Sequence, residues 1–221
     1  MRRVSEPELM DDDVQARAYA LADFDEPHSM FIESFAGKFP NLTGGFQALD
    51  LGCGSADITL RFANAYPQCQ IDGVDGAEAM LKYGHDAVNN TGFQRRVKLV
   101  HGLLPEVALP DHHYDVVISN SLLHHLKNPQ DLWQTIMQCG RRGAKVFVMD
   151  LRRPDSVAVA QALTDKHTAG EPEVLQRDFL NSLCAAYRIE EVQQQLHADG
   201  LDDLSIEIVS DRHFIVFGEL P

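Results

Sequence analysis

Short apolar runs alternate with segments of helical period along most of this chain. Gln47–Leu51, Gln70–Asp75 and Val97–His101 read as strands, as do residues 114–119 and 145–150. The run Tyr114-Asp115-Val116-Val117-Ile118-Ser119 is almost continuously apolar, the pattern of a parallel strand covered on both faces. Between these strands lie helical segments at about 55–65, 77–90 and 129–138. The second stops at Asn-Asn-Thr-Gly, and the third is predicted to start with Asn128 as N-cap and Pro129 at its first position. Upstream, residues 11–38 read as helical, with Ala16, Tyr19, Ala20 and Phe24 at helical spacing and Pro27 opening a second segment over 28–38.

The rhythm changes after Pro154. Residues 155–187 read as helical with no strand between them, and 189–199 as a further helix stopped by Gly200. Two last strands, 204–209 and 213–217, are joined only by Ser210, Asp211 and Arg212. So short a link permits only a hairpin, which makes the pair antiparallel. The pattern predicts an α/β fold: a seven-stranded, mostly parallel, doubly wound sheet with an antiparallel terminal strand. A helical lid (1–45) precedes a cofactor-binding half (46–150), a helical cap (151–200) and a terminal β-hairpin (201–221), all in one domain.

The length of 221 residues fits one domain, and 33 acidic against 19 basic residues give a formal net charge of −14. Such a surface repels phosphate backbones, so nucleic acid is not an expected partner. Cys53, Cys69, Cys139 and Cys184 show no metal or redox spacing and read as reduced thiols. The N-terminus turns acidic at once and no apolar run approaches a membrane span. A soluble cytoplasmic protein, without signal peptide or membrane contact, is the expectation.

The candidate chemistry lies after the first strand, in Asp50-Leu51-Gly52-Cys53-Gly54. Gly52 and Gly54 let a ligand approach bare backbone, and the next helix offers free N–H groups. A dinucleotide fingerprint wants a third glycine where this chain has Asp57. With Asp50 nearby, the loop suits a ligand with a positive centre and no phosphates, such as a sulfonium bearing an amino acid.

These residues resemble the class I S-adenosylmethionine-dependent methyltransferases over about residues 46–218. Leu49-Asp50-Leu51-Gly52-Cys53-Gly54 resembles that family's glycine-rich first motif, and Asp75 ends the second strand where a ribose-binding acid belongs. The segment 114–120, together with Leu122-Leu123-His124-His125-Leu126, is similar to the family's fourth strand and the segment after it. The terminal hairpin matches the family's reversed last strand.

The resemblance implies S-adenosyl-L-methionine as methyl donor and S-adenosyl-L-homocysteine as product. It places Gly52 and Gly54 under the methionine part and Asp50 at its amino group. Asp75 takes both ribose hydroxyls, Gly76 and Ala77 leave room at the ribose edge, and Met80 packs beside adenine. Asn120 faces the sulfonium, and Tyr19 and Phe24 resemble an aromatic lid, the alternative being a face packed on the sheet. One departure stands out: His101-Gly102-Leu103-Leu104 replaces the family's usual Gly-Asp-Ala, so adenine is expected to rest on Leu103 and Leu104 and on backbone groups.

The remaining candidates have simpler readings. His124 and His125, if helical, project about 100° apart, which argues against a shared metal, and no metal site is expected. Arg152 and Arg153 lie just after the fifth strand and either bind an acidic substrate group or are simply exposed. His112 and His113 read as a solvated turn. Asp178, Phe179, Ser182 and Tyr187 share a helical stretch in the expected cap. No residue is singled out as a general base, so the catalytic residues stay unassigned. Asn120-Ser121-Leu122-Leu123 is not the Asn/Asp-Pro-Pro-aromatic motif of base-modifying enzymes, which favours a small-molecule acceptor; the oligomeric state is not legible. Two rivals are a protein of this fold that binds the donor without transfer and a nicotinamide-dependent oxidoreductase.

Overall fold

A computed structural model describes residues 1–6 and 9–221. Its seven strands are β1 (Gln47–Leu51), β2 (Gln70–Asp75), β3 (Val97–His101), β4 (Tyr114–Asn120), β5 (Gly140–Leu151), β6 (Ser205–Ile208) and β7 (His213–Glu219). They form one sheet in the order β3-β2-β1-β4-β5-β7-β6. All neighbours from β3 to β5 pair in parallel, and β7 runs antiparallel to both β5 and β6. The expected doubly wound sheet with a reversed terminal strand is present.

Helices cover both faces, and strand alternation sorts the side chains between them. On one face Leu49, Leu51, Val117, Val146, Val148, Phe214 and Val216 meet Leu132, Trp133 and Ile136 of α5 (Gln130–Cys139) and Val192 and Leu196 of α8 (Ile189–Ala198). On the other, Ala48, Val116, Ile118, Phe147, Met149 and Ile215 meet α2 (Asp25–Lys38), α3 (Asp57–Ala65) and α4 (Glu78–Thr91). Phe31 and Phe35 of α2 are fully buried and stack edge-on against Phe147 at 5.0 and 5.5 Å. Most of α2 is therefore a structural layer on the sheet. Only its first turn and α1 (Asp13–Leu21) reach the mouth of the cavity.

Several boundaries differ from the sequence reading. The second helical segment begins at Asp25, with Pro27 inside its first turn, where a missing N–H costs nothing. Helix α3 starts at Asp57 because Ala56 is left-handed, at φ 67°. Asn128 does not cap α5: its side-chain amide donates to Asp131 Oδ1 at 2.7 Å instead of accepting from the helix. The stretch 155–187 is two helices, α6 (Val157–His167) and α7 (Glu173–Ala185), broken around Gly170, at φ 87°, and Pro172. Strand β5 begins five residues early, since Gly140 pairs with Tyr114 across a register shift.

Candidate functional site

The sheet order reverses between β1 and β4, and a cavity of about 570 Å³ opens at the carboxyl ends of these strands. This is the expected ligand position in an open α/β sheet, and the volume is that of a small-molecule site. Every cofactor candidate lines it: Tyr19, Asp50, Gly52, Gly54, Asp75, Gly76, Ala77, Met80, Leu103, Leu104 and Asn120.

The turn after β1 is held from behind. Gly52 and Cys53 both donate their N–H to Val74 O, at 2.8 and 3.0 Å. Gly52 and Gly54 have φ of 78° and 51°, a region that favours glycine. A Cβ on Gly52 would fall 2.9 Å from Leu122 Cβ, so the glycine is required by packing as well.

Asp75 ties this turn to the next element. One carboxylate oxygen accepts from Gly54 N and the other from Ala77 N, both at 2.8 Å. Burial raises its pKa, and these two amides oppose the rise. Each oxygen keeps an acceptor position beyond the one used. Asp75 thus organises the start of α4 and still offers two acceptors to a ligand.

Asp50 is 1% exposed and accepts the Thr59 hydroxyl at 2.5 Å. Burial pushes its pKa up to about 7, with the Asp75 charge adding to the rise against the Thr59 bond. A buried carboxyl near neutrality gains from a cationic ligand group.

Asp57, the acidic residue at the third-glycine position, is paired with basic partners. It bonds to His28 Nδ1 of α2 and to Arg61 Nε, the latter at 2.9 Å. Burial alone would raise its pKa, but His28 and then Arg61 outweigh burial and lower it. Arg61 also reaches Asp25 at 2.8 Å, so α2 and α3 are laced together beside the cavity.

The other end of the cavity is bounded by the cap. Phe179 and Ser182 of α7 line it. Asp178 is buried and engaged by Gln15 at 2.7 Å and by Arg177, and the Tyr187 hydroxyl donates to Leu126 O at 3.3 Å, so both act in the scaffold. Arg153 is buried in an ion pair with Glu191 at 2.6 Å, away from the cavity wall, and Arg152 is also outside it. Of the two readings offered for these arginines, binding a substrate group has no support from the cavity lining, and Arg153 is not simply exposed either.

Arg212, unnoticed in the sequence, does line the cavity. It lies in the β6–β7 turn, 6% exposed, with Nη1 3.0 Å from His167 Nε2 and Nη2 3.7 Å from Glu26. Beside it His213 is pushed down to about 3 by burial and by the Arg212 charge, so its imidazole is neutral.

Residues 121–126 form turns, not a helix, with Ser121 at φ 57°. The 100° argument against a shared role of His124 and His125 does not apply to them. Their rings stack at 4.3 Å. His124 is 2% exposed, with Nδ1 2.5 Å from Asp150 Oδ1. Burial disfavours its charged form, but Asp150 and then Glu6 outweigh burial and raise its pKa.

Glu6 arrives from the N-terminal segment, which is pinned along the cap. Val4 N donates to Cys184 O at 3.0 Å, and Arg3 bonds Ala185 O and His124 O while lying over the Tyr187 ring. Nothing local in the sequence marks Glu6 or Arg212. Both reach the site through long-range contacts.

Comparison with known proteins gives a consistent picture. Residues 48–145 match the family model described as a methyltransferase domain. Demethylmenaquinone methyltransferase of Anoxybacillus flavithermus is 31% identical over 125 residues, covering 56% of this chain and 52% of the relative. A ubiquinone/menaquinone biosynthesis C-methyltransferase of Pseudomonas fluorescens is 22% identical over 179 residues, covering 80% and 70%. The chain spans about half the length of the demethylmenaquinone methyltransferases it matches. In structure it resembles a SAM-dependent methyltransferase of Aquifex aeolicus with a TM-score of 0.68 at 17% identity, over 95% of this chain and 99% of that one.

Proposed function

We propose that the chain is a class I S-adenosylmethionine-dependent methyltransferase that transfers a methyl group to a small organic acceptor, a reading supported by the methyltransferase-domain match over residues 48–145 and by the named methyltransferase relatives. The observation that carries this reading is the junction of Asp50, the Gly52–Gly54 turn and Asp75 in one cavity at the sheet's switch point. The residues present fit the donor: bare backbone at two glycines, a buried carboxyl near neutrality, and an acid with two spare acceptors.

Bound there, S-adenosylmethionine supplies a methyl group already activated by its sulfonium. Asp50 faces the donor's amino group, Asp75 accepts from the ribose hydroxyls, and Met80, Leu103 and Leu104 form an apolar slot for adenine. Asn120, at the end of β4, borders the reacting centre. The chain's task is alignment and exclusion of water, with α1 and the first turn of α2 as lid and residues 151–200 as cap.

The acceptor end is bordered by Arg212, Phe179 and Ser182, which put a cation, an aromatic ring and a hydroxyl on one wall. That lining suits an aromatic acceptor with an acidic group. The relatives named as demethylmenaquinone methyltransferase and as a C-methyltransferase of ubiquinone/menaquinone biosynthesis support an aromatic, quinone-type acceptor. Among the described residues no helix is long and apolar enough to cross a membrane. With a net charge of −14, a soluble cytoplasmic enzyme with no nucleic-acid partner is the reading we favour.

Calorimetric titration with S-adenosylmethionine and S-adenosylhomocysteine tests the donor site. Binding of both is expected. Binding of a nicotinamide dinucleotide in their place would overturn the reading.

A further inference from the structure

We propose that Glu6, His124 and His125 form a three-ligand site for a divalent first-row transition ion of the zinc class, opening on the acceptor end of the cavity. The site stands on its own geometry. The use of the ion in methyl transfer rests on the function proposed above.

Three observations carry it. The first is distance. Glu6 Oε1 lies 3.5 Å from His124 Nε2 and 3.4 Å from His125 Nδ1, and all three atoms fall within 4.8 Å of one another. Tetrahedral zinc with bonds of about 2.0–2.2 Å sets its ligand atoms roughly 3.3–3.5 Å apart. The second is orientation. Asp150 holds His124 Nδ1 at 2.5 Å, which turns Nε2 toward Glu6. A carboxylate behind a histidine in this way fixes the tautomer of metal-bound imidazoles. The third is an orphaned acceptor. Glu6 Oε1 is buried and faces two imidazole nitrogens, yet makes no hydrogen bond. At 3.4 and 3.5 Å these contacts are ion-pair distances, too long for good hydrogen bonds and close to the separation of ligands around a common centre.

The donor set also selects the ion. Two imidazoles and one carboxylate suit zinc and its neighbours and do not suit calcium or magnesium, which take oxygen ligands. Three protein ligands leave a fourth position, the arrangement of catalytic rather than structural zinc. His124 and His125 both line the cavity, so that position faces the acceptor. A hydroxyl or enol oxygen bound there loses its proton to solvent at neutral pH and becomes the nucleophile. The inferred acceptor is thus an oxygen acid: a phenol, hydroquinone or enol.

The test uses the full chain stripped with a chelator, then titrated with zinc chloride and, separately, with cobalt chloride. One zinc per chain is expected, with a rise in Tm and a tetrahedral cobalt absorption band. Glu6→Gln and His125→Asn should each weaken zinc binding at least ten-fold, while His112→Asn, remote from the cluster, leaves it unchanged. Circular dichroism identifies any variant that fails to fold, and Glu6→Gln is near-isosteric. No zinc bound, or zinc bound equally by Glu6→Gln, overturns the proposal. Donor binding is measured on the metal-free chain. Donor binding without zinc binding removes the ion and leaves the methyltransferase reading, and zinc binding without donor binding does the reverse.

Discussion

Asp75 Oδ2 accepts the backbone N–H of Gly54 at 2.8 Å, which joins the acid at the end of β2 to the glycine turn after β1. Two sequence motifs 21 residues apart are therefore one physical unit. Damage to either should be felt by the same ligand.

Replacing Asp75 by alanine removes the two acceptors proposed for the ribose hydroxyls and frees the amides of Gly54 and Ala77. Affinity for S-adenosylhomocysteine should fall at least ten-fold, a loss of about 1.4 kcal/mol or more. Asp75→Asn keeps one oxygen acceptor and should fall between. Calorimetry on the three proteins checks the order.

Asp50 gives a pH signature. Its folded pKa of about 7 lies above the ordinary carboxyl value, so between pH 4 and 7 the folded state binds more protons than the unfolded. Its contribution to stability is then full below about pH 4 and is lost as pH rises through 7. The loss is no more than about 4 kcal/mol. Urea melts at pH 4.5 and 8 should show this decline in the wild type and not in Asp50→Asn. A cationic donor group favours the ionised carboxyl, so donor affinity should rise over pH 6 to 8 with release of a proton. Titrations in buffers of different ionisation enthalpy measure that proton.

Phe35 separates the two readings of the N-terminal helices. It is fully buried against Phe147 and Phe62, at 5.5 and 4.9 Å. Phe35→Ala should cost about 3–5 kcal/mol, the range for a core aromatic. Leu21→Ala, at a position 73% exposed, should change stability by less than about 0.5 kcal/mol. Equal small effects in urea melts would mean that α2 is a free lid.

Arg212 is expected to act on the acceptor and not on the donor. Arg212→Ala should raise the acceptor KM about ten-fold or more and leave S-adenosylhomocysteine affinity within about two-fold, since each lost charge-assisted bond is worth roughly 1.5–3 kcal/mol. A fall in donor affinity would place the side chain in a different role.

The features legible in the sequence were local ones. Strands β1, β2 and β3 have the predicted bounds because each is a short apolar run closed by a turn signal. Strand β5 starts early because its first residues, Gly-Arg-Arg-Gly, carry no apolar pattern and are recruited by pairing with Tyr114. The break between α6 and α7 had a signal in Gly170-Glu171-Pro172 that the surrounding helical period masked. Lining by the eleven cofactor candidates results from motif order, since strand ends of a parallel sheet meet at one edge. Glu6, Arg212 and the His28–Asp57 pair were not legible, because each partner lies on a distant element whose placement only the packed fold defines.

The most direct measurement is methyl transfer itself. The full chain is incubated with methyl-labelled S-adenosylmethionine and a cell extract, and the labelled products are separated by size and identified by mass. Label should appear in a small organic molecule, most readily one with an aromatic or enolic hydroxyl, and at sub-saturating donor should fall about ten-fold or more with Asp75→Ala. Label found only in protein or nucleic acid, or donor that binds and is never consumed, would contradict a small-molecule methyltransferase.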